Sequence, residues 1–347
     1  MPTFATAEIT GVLAERRGLQ RVTVSIEGKA DGVPGDSAYV LTDITGEVSI
    51  GDRVILNTTA VELGLGTGGW HVVHWNLSRT EFRRPGPGHI MKLRYTSSQL
   101  DAGTSELQHP DLSGDLAGTP VIATLVHSQV GVVAAVLRHR WPEARVGYVM
   151  TDGAALPIVI SDLVDELRSR SLIDVTVTAG HAFGGDLEAV TVASALALAH
   201  EVAGCDVIIV GMGPGVVGTG TAFGTTALEA AATLDIAATL GGTPILCVRA
   251  SDGDERARHQ GISHHSATVA RFANCHPWVA AVPLEAAGIE GVRVAELEAP
   301  DRTDVAMLLD EMAFRITTMG RGPRQDPLFF DAAGAAADVA VALRHVP

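Results

Sequence analysis

Residues 206–240 read DVIIVGMGPGVVGTGTAFGTTALEAAATLDIAATL. The β-branched run at 207–210 predicts a buried strand, and the alanine-rich run after Gly224 predicts a helix. Glycines lie between them at positions 211, 213, 215, 218, 220 and 224. Thr226 and Glu229 have the spacing of a capping box at the start of this helix. The stretch therefore predicts a strand, a glycine-rich loop and a helix.

The glycine-rich loop (211–224) is typical of an anion site. Glycine adopts positive φ and lets a ligand approach the backbone amides closely, while the helix N-terminus adds a partial positive charge. We expect the ligand to contact Gly211, Gly213, Gly215, Gly218, Thr219, Gly220 and Thr221. The alternative is a tight strand-to-helix connection whose glycines serve packing alone.

Apolar runs and helical segments alternate from Thr119 onward. Strands are predicted at 120–127, 145–150, 173–178, 206–211 and 243–249, with a weaker one at 279–283. Helices are predicted at 129–141, 158–170, 186–203 and 225–240, and alanine-rich helical segments at 303–319 and 331–344. This alternation predicts an α/β fold with a parallel, doubly wound, Rossmann-like sheet.

The first part of the chain has a different pattern. Short apolar segments between residues 7 and 77, bounded by Gly, Asp or Asn, predict a small antiparallel β-barrel or sandwich. RRPGPG (83–88) breaks regular structure. The predicted organisation is a β domain over 1–84, a linker and basic segment over 85–118, and an α/β ligand-binding domain over 119–347 with C-terminal helices.

The basic segment contains His89, Lys92 and Arg94 in HIMKLRYT (89–96). These side chains either attract an anion or lie on the outer face of an edge strand. Lysine occurs elsewhere only at position 29. Lys92 is therefore almost the only amine available for a Schiff base, which argues against that chemistry.

Composition excludes several classes of protein. The 347 residues carry a net charge of −15, all of it from residues 101–347, because residues 1–100 hold ten acidic and ten basic side chains. Such a surface repels nucleic acid, so we expect no nucleic-acid partner. The chain lacks a signal-peptide pattern and an apolar run of about 18 residues, so we expect no membrane span. Its three cysteines lack C-x-x-C spacing and predict buried thiols in a soluble cytoplasmic protein.

Ligands of open parallel sheets bind beyond the carboxyl ends of the strands, so the residues that follow each strand are site candidates. Asp152 and His181 are acid–base candidates, and His127 or His264 would orient substrate. Ser128, Asp252 and Arg321 complete the predicted ligand-binding set. The structural alternatives are an Asx-turn at Asp152 and helix caps at Ser128 and Asp186, and for Asp186 we favour the cap of a helix over 187–203.

The sequence leaves metal ligands and cofactors undetermined. A divalent ion could be bound by ligands from His127, His181, His259, His264 and Asp152. These residues lack the i, i+4 or H-x-H spacing that is typical of metal sites. Adjacent helical side chains diverge by about 100°, so His264 and His265 are not expected to share one ion. G-x-G-x-x-G occurs at 213–218, but Asp252 follows it at more than the roughly 20 residues typical of a dinucleotide site.

Several motifs resemble a family of uncharacterised bacterial proteins of unknown function. They are HIMKLRYT (89–96), TDGAALP (151–157), HAFGGDLEAV (181–190), GMGPGVVGTGT (211–221), ISHHS (262–266) and TMGRGPRQDPLFF (318–330). The resemblance spans nearly the whole chain. It implies a bacterial family architecture and supplies no activity, substrate or catalytic residue.

The sequence thus predicts a protein that binds a small anionic ligand bearing a phosphate, nucleotide or carboxylate at loop 211–224. The favoured hypothesis is an enzyme of hydrolase or transferase type, in which the loop amides hold a phosphate or oxyanion. The alternative is a non-catalytic nucleotide or metabolite sensor or an assembly protein. Because the alanine-rich helices are apolar all round, a homodimer is a further hypothesis.

Overall fold

A computed structural model describes residues 1–28, 36–65, 68–88, 90–283, 289–298 and 301–344. The chain divides into two compact units, Met1–Gly103 and Thr104–Pro347. The division falls within the segment predicted as a linker. Each unit has a hydrophobic core of its own.

The first unit contains a closed β-barrel with the strand order β1-β2-β3-β5-β4. Its strands are β1 (Phe4–Arg16), β2 (Leu19–Ile26), β3 (Asp36–Leu41), β4 (Arg53–Asn57) and β5 (Trp70–Asn76), with short helices α1 (Thr42–Thr45) and α2 (Thr59–Glu62) between them. Neighbours are antiparallel except β3 and β5, which are parallel. Alternate residues such as Val22 and Val24 are fully buried, as a period of two requires. The predicted barrel is confirmed.

The basic segment after the barrel is not an extended edge strand. β6 (Met91–Lys92) pairs with β7 (Leu100–Asp101) over two residues, and Leu93 next to it has a positive φ of 52°. The Lys92 side chain is buried. The interpretation that it lies on an outer face is therefore wrong. His89, from the same segment, lies outside the described residues.

The second unit is a parallel sheet with helices on both faces. Its strands are β8 (Pro120–Ala123), β9 (Val146–Thr151), β10 (Val175–Thr178), β11 (Leu187–Glu188), β12 (Val207–Met212) and β13 (Thr243–Leu246). A separate pair, β14 (Ala250–Ser251) and β15 (Gly261–Ile262), precedes the sheet strands β16 (Trp278–Ala280) and β17 (Arg293–Ala295). The helices are α3 (His127–Arg140), α4 (Asp162–Ser169), α5 (Val192–Ala197), α6 (Glu229–Thr239), α7 (His264–Phe272), α8 (Val305–Glu311) and α9 (Pro327–Leu343).

The sheet order is β11-β10-β9-β12-β8-β13-β16-β17, with every neighbouring pair parallel. β12 inserts between β8 and β9, although both precede it in the chain. Every residue of these three strands is buried, as expected for a sheet covered on both faces. The predicted doubly wound α/β architecture is confirmed.

Side chains of β12 alternate between two cores. Ile209 belongs to the core that contains residues of α3, α4, α8 and α9, whereas Ile208 and Val210 belong to the core that contains residues of α5 and α6. Because successive residues of a strand point to opposite faces, the two groups of helices cover opposite sides of the sheet. The second unit is therefore a three-layer sandwich.

The apolar surface of α9 is buried within its own unit. Residues 332–340 are all buried, and α9 packs against α3 and α8. Gly334 allows a close approach, because a Cβ atom there would lie 2.4 Å from Val305 Cγ2. Packing inside the unit thus accounts for the apolarity on which the homodimer hypothesis was based.

Two predicted helix boundaries are wrong. Asp186 does not cap a helix: it accepts a hydrogen bond from the backbone N–H of Thr176 at 2.8 Å, and the helix begins at Val192 after a Thr191 cap. The segment 303–319 is helical only over α8, because Ala313 has a positive φ of 47° and ends the helix. Asp186 thus stabilises the neighbouring strand β10 instead of a helix N-terminus.

Cys205 and Cys247 are buried and Cys275 is half-buried, and all three are free thiols. This agrees with the predicted buried cysteines. Among the described residues, every helix is too short or too polar to cross a bilayer.

Candidate functional site

The sheet changes its winding direction at the carboxyl ends of β8 and β12. α3 follows β8 on one face, and α6 follows the adjacent β12 on the other face. Two adjacent strands whose connections leave in opposite directions create the crevice in which open α/β sheets bind ligands. The segments that follow β8, β9 and β12 therefore meet at one edge.

His127 begins α3 at this edge, but internal hydrogen bonds hold its ring. Nδ1 lies 3.1 Å from the Met212 carbonyl oxygen, and Nε2 lies 2.6 Å from Ser161 Oγ. Because a carbonyl oxygen only accepts, Nδ1 carries the proton and the Ser161 hydroxyl donates to Nε2. Burial lowers the pKa of His127 to about 4. The ring is neutral and internally paired at pH 7, and Ser128 beside it is half-buried.

Glu229 was interpreted from the sequence as part of a capping box, and that interpretation is wrong. The Thr225 hydroxyl caps the turn Thr226–Leu228, where it accepts a hydrogen bond from the backbone N–H of Ala227 at 3.3 Å. The Glu229 carboxylate points to the end of β9 and accepts a hydrogen bond from the Thr151 hydroxyl. Glu229 is therefore a candidate site residue. Its three-residue spacing from Thr226 had suggested only a helix cap.

The environment of Glu229 favours its protonated form. Burial is the main cause, the negative charge of Asp152 adds to it, and together they raise the pKa of Glu229 to about 7. Hydrogen bonds from Thr151 and Gly153 oppose the shift without cancelling it. A carboxyl group with a pKa near neutrality can both donate and accept a proton, as general acid–base catalysis requires.

Asp152 and His181 are neighbours, as two adjacent strand ends predict. The backbone N–H of His181 donates to Asp152 Oδ2 at 3.1 Å. A Cβ atom at Gly180 would lie 2.4 Å from the same oxygen. Asp152 is exposed and His181 is half-buried. Asp152 thus organises a turn and also approaches Glu229.

The glycine-rich loop is partly folded on itself. The Thr219 N–H donates to the Gly224 carbonyl at 2.8 Å, and the Thr226 N–H donates to the Val217 carbonyl at 3.0 Å. The hydroxyls of Thr219 and Thr221 lie 2.9 Å apart. Within the described chain, the amides at 215, 218 and 220 form no hydrogen bond. Part of the loop therefore retains free donors.

The glycines of the loop have two different roles. A Cβ atom at Gly211 would lie 2.0 Å from Thr124 Oγ1, and one at Gly213 would lie 2.4 Å from the Ala155 carbonyl oxygen. These two glycines permit close packing. Gly215 and Gly220 instead have φ values of 99° and 85° and are exposed. Packing thus accounts for Gly211 and Gly213. Gly215 and Gly220 are not explained by packing, and the anion site stays a prediction.

Three histidines meet beside this loop: His259, His264 and His265. One ligand atom from each lies within 4.8 Å of the other two. The ring centroids of His264 and His265 are 4.2 Å apart, and each lies about 5 Å from the ring of His259. The expectation that adjacent histidines point apart is wrong here, because both begin α7 and their rings turn toward His259. A Cβ atom at Gly218 would lie 3.1 Å from His265 Cε1.

Arginine side chains surround the histidine cluster. Arg249 and Arg256 lie 3.6 Å and 2.7 Å from a carboxylate oxygen of Asp254. Burial is the main cause of the lowered histidine pKa values, and these positive charges contribute: the pKa falls to about 3 for His259 and about 4 for His265. Both rings are therefore neutral at pH 7.

Arg258 differs from the neighbouring arginines because it has no ion-pair partner among the described residues. Its side chain is exposed. The guanidinium carbon lies 3.5 Å from the position that a Cβ atom of Gly220 would occupy. An unpaired guanidinium therefore lies against the glycine-rich loop.

Asp252 and Arg321 belong to a polar cluster around the buried Asp326. The Asp326 carboxylate accepts hydrogen bonds from the Ser251 hydroxyl at 2.7 Å, the Asp252 N–H at 3.1 Å and Arg321 Nε at 3.0 Å. Burial alone would raise the pKa of Asp326, but hydrogen bonds that include those from Ser251 and Arg321 outweigh it and lower the pKa. The guanidinium of Arg321 is thus paired internally.

The chain belongs to a family described as proteins of unknown function (DUF3866), whose pattern matches residues 37–337. No curated protein and no solved structure gives a significant match. The predicted membership of a family of unknown function is thereby confirmed.

Proposed function

We propose that this member of the DUF3866 family binds a small molecule bearing a phosphate or carboxylate and acts on it as a hydrolase or transferase. The site would lie at the carboxyl edge of the sheet, between Gly220 and Arg258. The observation that carries the proposal is the contact of the unpaired Arg258 guanidinium with the glycine-rich loop. Guanidinium groups and backbone amides are the donors that phosphate and carboxylate groups prefer.

The local charge supports an anionic ligand. The whole chain carries a net charge of −15, yet the histidine cluster experiences the positive charges of Arg249, Arg256 and Arg258. Asp254 forms ion pairs with Arg249 and Arg256, and its single negative charge offsets only part of their positive charge. The charge of Arg258 remains available to a ligand.

The geometry of the loop supports the same ligand. Gly220 is exposed, has a positive φ and offers an amide without an acceptor in the described chain. A ligand oxygen could approach this amide closely because glycine has no side chain of its own. The hydroxyls of Thr219 and Thr221 are exposed on the same loop.

For catalysis, we propose that Glu229 transfers the proton and that burial, aided by the charge of Asp152, maintains its raised pKa. Asp152 and His181 were the acid–base candidates of the sequence, and Glu229 joins them because its pKa of about 7 suits proton transfer in both directions. His127 would support the edge structurally, because its ring nitrogens are already paired.

Binding can be tested by titrating the full chain with inorganic phosphate and a phosphate monoester and following the heat of binding. Arg258→Ala should weaken binding at least about tenfold, because a charge-assisted contact is lost. Arg271→Ala is the matched control, since Arg271 is an exposed arginine on α7. Equal affinity of Arg258→Ala and wild type would refute the proposed site.

Catalysis is tested separately with a panel of phosphate and carboxylate esters. Glu229→Gln should abolish turnover and leave phosphate binding intact. Ligand binding without turnover by the wild type would instead favour the sensor hypothesis.

A further inference from the structure

We propose that His259, His264 and His265 bind a divalent transition-metal ion, Zn²⁺ or a close relative, beside the glycine-rich loop. Their ligand atoms lie within 4.8 Å of one another. A tetrahedral Zn²⁺ with bonds of about 2.0–2.1 Å places its nitrogen ligands about 3.4 Å apart. Small rotations of the imidazole rings would therefore complete the site.

The cluster contains buried nitrogen atoms without hydrogen-bond partners. They are His264 Nε2 and both ring nitrogens of His265. Only 3% of the His265 surface and 1% of the His259 surface is exposed. Buried polar atoms are normally satisfied, because burial without a partner is unfavourable. A metal ion would supply a partner for one nitrogen of each of these two rings.

The ligand set favours zinc and related metals over magnesium or calcium. Imidazole nitrogens suit Zn²⁺, Ni²⁺ and Cu²⁺, whereas Mg²⁺ and Ca²⁺ prefer oxygen. Ser263 Oγ lies 2.7 Å from His259 Nδ1, which fixes that ring as outer partners of metal ligands commonly do.

Access and charge are compatible with a bound ion. His264 is half-buried, so solvent reaches one side of the cluster. Asp254 forms ion pairs with Arg249 and Arg256 and offsets part of their positive charge. Three histidines with one open position form the ligand set of a catalytic zinc site. This inference goes beyond the proposed anion site, because it depends on none of the loop donors.

The test uses the full chain, stripped of metal with a chelator and transferred to phosphate-free buffer. Calorimetric titration with Zn²⁺ should show saturable binding of one ion per chain, and Mg²⁺ should give no binding. His264→Ala and His265→Ala should each weaken Zn²⁺ binding at least about 100-fold. His139→Ala is the control, because His139 is an exposed histidine on α3.

Circular dichroism of the metal-free variants separates lost binding from lost folding. His264→Ala decides the question if His265→Ala fails to fold, since His264 is the more exposed of the two. Co²⁺ provides a second readout: tetrahedral coordination gives strong visible absorption that both variants should lose. Absence of saturable Zn²⁺ binding, or undiminished binding by a folded His264→Ala variant, would overturn the proposal.

The same proteins distinguish the two proposals. Arg258→Ala should retain Zn²⁺ binding while phosphate binding weakens. Zn²⁺ binding without any phosphate binding overturns the anion site alone, and phosphate binding without Zn²⁺ binding overturns the metal site alone.

Discussion

Replacing Glu229 by glutamine should change how the stability of the second unit depends on pH. Burial, aided by the charge of Asp152, raises the pKa of Glu229 from 4.5 to about 7. Between these two pKa values the folded chain holds a proton that the unfolded chain has released, so the contribution of Glu229 to stability falls as pH rises from 4.5 and levels off above 7. Glutamine keeps an oxygen that can accept the hydrogen bond from Thr151 and does not titrate.

The size of the effect follows from the pKa change. At about 1.4 kcal/mol for each pH unit, the shift corresponds to about 3 kcal/mol. The free energy of unfolding of Glu229→Gln minus that of wild type should therefore increase by about 3 kcal/mol between about pH 4.5 and about pH 8. Comparing the two proteins cancels the titration of groups that do not interact with Glu229, including His127.

The assay is urea unfolding at several pH values, followed by far-UV circular dichroism, which reports mainly the helices of the second unit. Glu143→Gln is the matched control, because Glu143 is an exposed glutamate in the same unit. It should give a curve parallel to wild type. A constant difference between Glu229→Gln and wild type across this pH range would refute the assignment of a raised pKa to Glu229.

Three further predictions concern stability. Asp326→Ala should lower the free energy of unfolding in urea by about 3–5 kcal/mol, because it leaves the Arg321 guanidinium and the Ser251 hydroxyl without their shared acceptor. The control is Asp310→Ala, which breaks an exposed ion pair with Arg324. It should lower the free energy of unfolding by about 1 kcal/mol or less. Gly334→Ala should lower the free energy of unfolding by about 1–3 kcal/mol, because the new Cβ atom would lie 2.4 Å from Val305 Cγ2. In the double variant with Val305→Ala, the loss of stability should be smaller than the sum of the two single losses. His127→Asn should lose less stability than wild type on acidification below about pH 6.5. The reason is that the folded wild type keeps this ring neutral down to a pKa of about 4, while in the unfolded chain the ring is protonated at higher pH. Equal acid sensitivity of the two proteins in thermal melts would contradict this prediction.

Local sequence patterns determined the architecture of both units. Period-two alternation before residue 77 predicted the barrel, and buried β-branched runs alternating with helices predicted the doubly wound sheet. These patterns succeed because each strand or helix must bury its own apolar face whatever its neighbours are. The polar residues at the carboxyl edge were also recognised in part, since parallel topology brings strand ends together.

Only the tertiary structure shows which residues distant in sequence contact one another. Glu229 has the spacing of a capping residue, but its acceptor role depends on Thr151, which the β9–β12 pairing brings beside it. His264 and His265 diverge along an ideal helix, yet the turn that carries His259 folds across their ends. Arg258 has no ion-pair partner among the described residues, while Arg321 is paired with Asp326, although both arginines lie outside the α-helices and strands. Burial and long-range contacts set the pKa of each group and decide whether it is free to bind a ligand. Local sequence spacing does not specify burial or long-range contacts.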